Sequence, residues 1–225
     1  MKIFRSFILL ILLQCASAPI IQAQQCETAL WSYLSLSKPL NAKWTVSAQT
    51  ELRTGDDNTR LYLWYIDSNI RYKINSWLAG SIGFDYIKVH ARPTAQRRSV
   101  WRTDWRPYIA LITSWKMGNM RASLNESMTY NWFPEMEKDG VIIKGRAYYL
   151  ARHRFTLEYP IKESRFIPYT KLEIRQTQKL ERVRVTSGST IRIDDRQSLD
   201  VGYVYQDMHN STKTHALAIG YRIRL

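Results

Sequence analysis

His209-Asn210-Ser211 is the arrangement in this chain closest to a catalytic one. A histidine two residues from a serine could act as a general base on a hydroxyl nucleophile, provided a carboxylate orients the ring. No Asp or Glu follows Ser211, and Asp207 is too near in sequence for the required geometry to be inferred, so a polar turn of Asp, Asn, Ser and Thr accounts for the same residues. His90, His153 and His215 are scattered, with no Cys or Glu at ligand spacing, and no zinc site is expected. Asp56-Asp57 and Glu135, Glu137 and Asp139 could hold divalent cations, but read more simply as solvated loop tips. No glycine-rich phosphate loop, nucleophile elbow or metalloprotease motif is present, and no cofactor is expected.

The commoner chemistry is ionic. The 225 residues carry a net charge of +14, which raises the question of nucleic acid. Clustering is missing: arginines recur singly with carboxylates between them, and the only short basic run is Arg97-Arg98, so no nucleic-acid partner is expected.

Such dispersed charges need elements to position them, and the sequence has one dominant period, two. "WTVSAQTEL" sets Trp44, Val46, Ala48, Thr50 and Leu52 against Thr45, Ser47, Gln49 and Glu51. In "MRASLNESMTYNW", Met120, Ala122, Leu124, Met128, Tyr130 and Trp132 alternate with Arg121, Ser123, Asn125, Ser127, Thr129 and Asn131. "WRTDWRPYIALITSW" sets Trp101, Thr103, Trp105, Ile109, Leu111 and Trp115 against Arg102, Asp104, Arg106 and Tyr108. The pattern predicts strands at 29–37, 44–53, 60–73, 77–89, 100–115, 119–132, 146–158, 166–176, 181–193, 198–207 and 214–225. Short connections ("SKPLNAK", "KINS", "KMGN", "PIKESR", "DDRQ") alternate with mostly longer, polar ones ("TGDDNT", "HARPTAQRRS", "FPEMEKDGVIIKG", "DMHNSTK"), as in a meander with one tight rim and one looped rim.

Alternation alone suits either a soluble barrel with an apolar interior or a membrane barrel with a polar one. Three features favour the second. The strands are about ten residues long or more, enough to cross the hydrocarbon layer at a tilt. Trp44, Trp77, Trp101, Trp115, Trp132, Tyr86 and Tyr149 fall near strand ends, and the rings are amphipathic in kind, 14 Tyr and 8 Trp against 6 Phe. The polar face carries charges of both signs on nearly every strand: Glu51, Asp67, Arg71, Asp85, Arg102, Asp104, Arg106, Arg121, Arg152, Arg154, Glu158, Lys171, Glu173, Arg175, Arg182, Arg184, Arg192, Asp200 and Arg222. A closed barrel could pair these inside its lumen, where an unpaired charge would be costly. The expected fold is therefore an all-β, up-and-down antiparallel transmembrane β-barrel of about 10 to 12 strands. Single-chain bacterial barrels have even counts, so of the eleven segments 29–37 is expected not to span, or one strand to be mis-split, giving ten or twelve.

"MKIFRSFILLILLQCASAPIIQAQQ" opens with Lys2 and Arg5, continues with an apolar core from Phe7 to Leu13 and closes on small residues, reading as a secretory signal peptide over 1–23 with the barrel domain at 24–225. Cleavage is expected after Ala23; the alternative, a lipoprotein box ending at Cys15, places Gln14 where a small residue is needed. With Cys15 removed, Cys26 is the one thiol left, which excludes a disulfide framework. No later apolar run is long enough for a spanning helix.

The segments "ALWSYLSLSKPLNAKWTVSAQTELR" and "YIDSNIRYKINSWLAGSIGFDY" and the ending "HALAIGYRIRL" together resemble the uncharacterised outer-membrane β-barrel family common in Bacteroidota (domain of unknown function 2490). The shared features are a Trp in the first strand, "LN-K-W" turns, an "E-x-R" closing the second strand and a final Gly-Tyr-Arg step. The resemblance covers nearly all of 28–225 and implies a barrel in the outer membrane of a Gram-negative bacterium; its motifs carry no catalytic signature. The ending also resembles the recognition signal of barrel-assembly machinery, through Gly220, Tyr221, Ile223 and Leu225, although Leu225 stands where an aromatic is usual. His209-x-Ser211 resembles the His-x-Ser of outer-membrane lipid A deacylases. The expected partners are outer-membrane lipid, lipopolysaccharide and the assembly machinery, around a monomer. The expected function is non-enzymatic, either a structural or binding barrel or a narrow channel favouring anions; a lipid-modifying enzyme and a soluble lipocalin-like binding barrel are the alternatives.

Overall fold

The computed structural model describes residues 26–55, 58–91, 100–138, 141–208 and 213–225. The expected signal peptide over 1–23, Asp56-Asp57, Arg97-Arg98, Asp139 and His209-Asn210-Ser211 lie outside the described residues. The strands are β1 (Cys26–Pro39), β2 (Trp44–Gly55), β3 (Arg60–Lys73), β4 (Leu78–Ala91), β5 (Val100–Met117), β6 (Met120–Phe133), β7 (Met136–Lys138), β8 (Val141–Ile143), β9 (Arg146–Glu158), β10 (Phe166–Gln176), β11 (Leu180–Arg192), β12 (Gln197–Met208) and β13 (Lys213–Arg224). β7 and β8 form a separate two-stranded hairpin, and the other eleven close into a barrel in chain order.

Eleven corrects the even count expected from the sequence. In a meander each strand reverses the one before, so the eleventh strand runs the same way as the first. The barrel closes by pairing β1 with β13 in parallel, in register from Cys26–Lys213 to Ser37–Arg224. All other neighbours in the barrel are antiparallel. Segment 29–37 does span, and its pairing leaves no open edge. The β7–β8 hairpin is absent from the sequence reading because strands of three residues are too short to display a period of two.

The tight rim is built by repeated turn chemistry. Asn41 Oδ1 accepts from the backbone N–H of Lys43 and Trp44, each at 2.9 Å. Asn75 Oδ1 does the same for Trp77 and Leu78, at 2.9 and 2.8 Å, and Asp194 Oδ1 for Arg196 and Gln197, at 2.7 Å each. One short side chain thus satisfies two donors that the turn would leave open. At β5–β6 the turn is two residues, and Gly118 supplies the positive φ (59°) needed at its first position.

The distribution of side chains is the reverse of a soluble protein's. Asp104 and Asp200 are each 1% exposed, whereas Ile109 is 63% and Ile82 61% exposed. The interior is charged rather than apolar, unlike the apolar interior expected of a lipocalin-like binder. Outward rings gather near both rims. Trp44 and Tyr72 meet at 4.7 Å by the tight rim, and Trp64, Tyr86 and Trp105 form a chain of contacts at 6.0 and 5.0 Å toward the looped rim. Aromatic belts flanking an apolar band match the two water–lipid boundaries of a membrane barrel.

Candidate functional site in the barrel lumen

The inward rows bring the alternating charges together around a few carboxylates. Glu173 on β10 is the most heavily used. Arg154 Nη2 of β9 and Arg182 Nη2 of β11 each donate to it at 2.6 Å, Arg175 Nε at 3.2 Å, and Arg184 Nη1 stands 3.6 Å away. Register explains the convergence, because Glu173 lies directly opposite Arg154 on one side and Arg184 on the other. Asp104 binds Arg102 and Arg106, two residues before and after it on the same face of β5, at 2.7 and 2.8 Å. Glu51 accepts from Arg53 and, at 2.7 Å, from the Tyr65 hydroxyl. Asp200 accepts from Arg222, Tyr33 and Thr190. Charge-assisted bonds of this kind offset the cost of taking the ions out of water.

Tyrosines complete the network by lying on bare backbone. A Cβ on Gly83 would overlap the Tyr108 ring, and one on Gly220 would overlap the Tyr33 ring; at Gly202 it would meet the Tyr169 hydroxyl at 2.8 Å. The missing side chains let each ring lie flat against the wall, which directs the Tyr108 hydroxyl to Asp67 at 2.8 Å and the Tyr33 hydroxyl to Asp200. Trp31 sits between two guanidinium groups, Arg53 at 4.1 Å and Arg184 at 4.5 Å from its ring centre.

Two cavities occupy the lumen, about 560 Å³ toward the looped rim and about 510 Å³ toward the tight rim. Asp67, Arg152 and Arg154 belong to the walls of both and mark a waist between them. Arg152 lies over the Tyr108 ring at 5.6 Å, and its Nε donates to Ser127 at 3.1 Å, with no carboxylate in contact among the described residues. The upper cavity wall has nine Lys and Arg against five Asp and Glu. The lower has Lys43, Arg71, Lys73, Arg152 and Arg154 against Asp67 alone.

Of the charges singled out in the sequence, Glu51, Asp67, Asp85, Arg106, Arg152, Arg154, Lys171, Glu173, Arg175, Arg182, Arg184 and Arg222 line the upper cavity, and Arg71 the lower. Arg102, Asp104 and Asp200 belong to the inner networks. Arg121 and Glu158 are cross-strand partners near the tight rim, where Arg121 is exposed. Arg192 is exposed at the same rim and donates to the Ser164 carbonyl at 3.1 Å instead of joining the network. At the end of β13, Gly220 faces inward beneath Tyr33, and the Leu225 N–H donates to the Ser37 carbonyl across the seam at 2.8 Å.

Several residues escaped the sequence reading. Arg53 follows Glu51 by two and could have been added to the inner row by the same alternation. The tyrosine–glycine pairs depend on cross-strand register, and Tyr33 and Asp200 are 167 residues apart. Glu126 was passed over because it falls on the apolar row of β6; it is bonded to His153 on the outer surface. His153 therefore stands mid-strand on the outer face of β9. His90 lies beside Arg60 and Trp101, and His215 beside Tyr203 and Tyr205, all near the looped rim.

A closed sheet with an apolar belt outside and paired charges inside defines a transmembrane β-barrel of the kind found in outer membranes. The chain belongs to the family described as a protein of unknown function, DUF2490, which matches residues 28–216. No curated protein matches it. Its fold is similar to the NanC porin (TM-score 0.56, 14% identity, covering 90% of this chain and 100% of that one). It is also similar to the translocator domain of the autotransporter NalP from Neisseria meningitidis (TM-score 0.55, 10% identity, 84% and 77% covered). A third likeness is to the beta domain of the Bordetella autotransporter BrkA (TM-score 0.53, 13% identity, 80% and 82% covered).

Proposed function

We propose that the chain is a non-enzymatic outer-membrane barrel, exported through a signal peptide and inserted by barrel-assembly machinery, whose lumen admits small anions. The observation that carries this reading is the sign of the cavity walls. The lower cavity presents five cationic side chains against Asp67, whose carboxylate already accepts from Tyr108. Like charges in a narrow, low-dielectric passage focus their field along the axis, concentrate counter-ions and repel cations. Arg152 and Arg154 at the waist would be the last cations an anion meets between the two halves.

Purified protein in planar bilayers under a potassium chloride gradient should give small current steps, with a reversal potential displaced toward that of chloride. Arg71→Glu together with Lys73→Glu should shift the reversal potential toward potassium. Inserted protein that gives no steps, or steps selective for potassium, would sink the channel reading and leave a barrel whose lumen is structural.

A further inference from the structure

Among the described residues, the middle of the outward rows is built of apolar side chains and a few hydroxyls such as Ser32, Thr50, Ser68, Thr170 and Ser187, and carries charged or imidazole groups at Glu126 on β6 and His153 on β9. These two are direct cross-strand partners, with His153 Nδ1 bonded to Glu126 Oε2. Leu111 and Ile174 flank them on β5 and β10, and the outward pairs above and below are Met128–Ala151 and Leu124–Phe155. Other charged or imidazole side chains on outward rows, among them Lys38, Lys88, Asp207 and His215, stand within three residues of a strand end. Glu126 does not. On β6 it is four residues from Ala122, which is opposite Trp115, and six from Trp132, which is opposite Trp105. At about 3.3 Å per residue and a tilt of about 40°, those steps put it roughly 10 and 15 Å from the aromatic belts. It lies in the middle of the hydrocarbon layer.

The pair does not satisfy itself. It uses one imidazole nitrogen and one carboxylate oxygen, leaving His153 Nε2 and Glu126 Oε1 with no bond among the described residues. Each side chain is more than a third exposed, His153 at 36% and Glu126 at 40%. Lipid tails offer neither donor nor acceptor, so polar groups at this depth are costly unless something polar covers them. A second copy of the chain has the right chemistry. A donor and an acceptor side by side at nearly one depth are self-complementary under a two-fold axis along the membrane normal. Glu126 of one copy then meets the partner's His153, and the reverse contact forms with it, closing a ring of alternating donors and acceptors. The flanking wall permits close approach, since Ala151 is small and a Cβ on the outward Gly80 would meet nothing within 4 Å.

We infer that the wall formed by β5, β6, β9 and β10 is a contact between two copies of this chain, centred on Glu126 and His153. The dimer departs from the monomer expected from the sequence, and it is independent of what the lumen carries.

The test is cross-linking of the full chain in membranes, on a Cys26→Ser background, comparing Met128→Cys beside the pair with Val201→Cys on β12, which lies outside the proposed wall. Met128→Cys should give a product of twice the chain mass, roughly ten-fold more than Val201→Cys. Glu126→His or His153→Glu alone places like groups together and should abolish the product, and the two combined should restore it. Folded protein is scored in each case by its migration on unheated gels. Equal cross-linking at both walls, no doubled product from Met128→Cys, or a product of another mass would each overturn the proposal.

Discussion

Glu173 receives Arg154, Arg175 and Arg182 and has Arg184 close by, so one carboxylate balances four guanidinium groups from three strands. Glu173→Gln removes that charge and leaves buried cations facing one another. Breaking a buried pair in this way costs about 3–5 kcal/mol. Urea unfolding followed by gel mobility should show a loss of that order, whereas Arg192→Gln, at the exposed rim, should fall within about 0.5 kcal/mol of the parent. Equal losses would mean that the hub is no more important than a surface contact. At this scale much of the lumen was legible. Glu51, Glu173, Arg182 and Arg184 lie on a strict alternation, and once the barrel is read as a membrane one its polar row must point inward. Glu126 was not legible, because it interrupts an apolar row and nothing in one strand's sequence shows that a histidine lies opposite it.

Among the elements, strands and turns were the readable parts. Long alternations mark β5 and β6 plainly, and Asn41, Asn75 and Asp194 stand where tight turns need an acceptor. What joins the strands across the lumen was hidden, because it depends on register. Gly83 shows how finely register matters, since the Tyr108 ring occupies the space its side chain would take. Gly83→Ala should displace Tyr108 from Asp67 and destabilise the barrel by about 1–3 kcal/mol, the usual cost of overpacking. Adding Tyr108→Ala should make the two changes strongly non-additive, with the double variant no worse than Tyr108→Ala alone. Additive losses in the same unfolding assay would show that the ring does not rest on the glycine.

For the whole molecule, the parallel seam is the part the sequence reading resisted. Eleven alternating segments stand in the sequence, whereas the even rule for single-chain bacterial barrels predicts ten or twelve. The seam has a directional consequence that can be measured. β1 begins at the looped rim and β13 ends at the tight rim, since Ser37 rather than Cys26 is paired with Arg224. With the loops facing outward, an epitope inserted just before β1 should bind antibody on intact cells, and one fused after β13 only once the cells are permeabilised. Equal labelling of both on intact cells would contradict the parallel closure. The same geometry decides whether the barrel can be circularly permuted. In an even-stranded barrel the first and last strands meet at one rim, and a few glycines can splice them. Here the splice would have to climb the full height of β13, twelve residues at about 3.4 Å each, or about 40 Å along the wall. Only a linker on the order of a dozen extended residues, threaded through the charged lumen, could make that join.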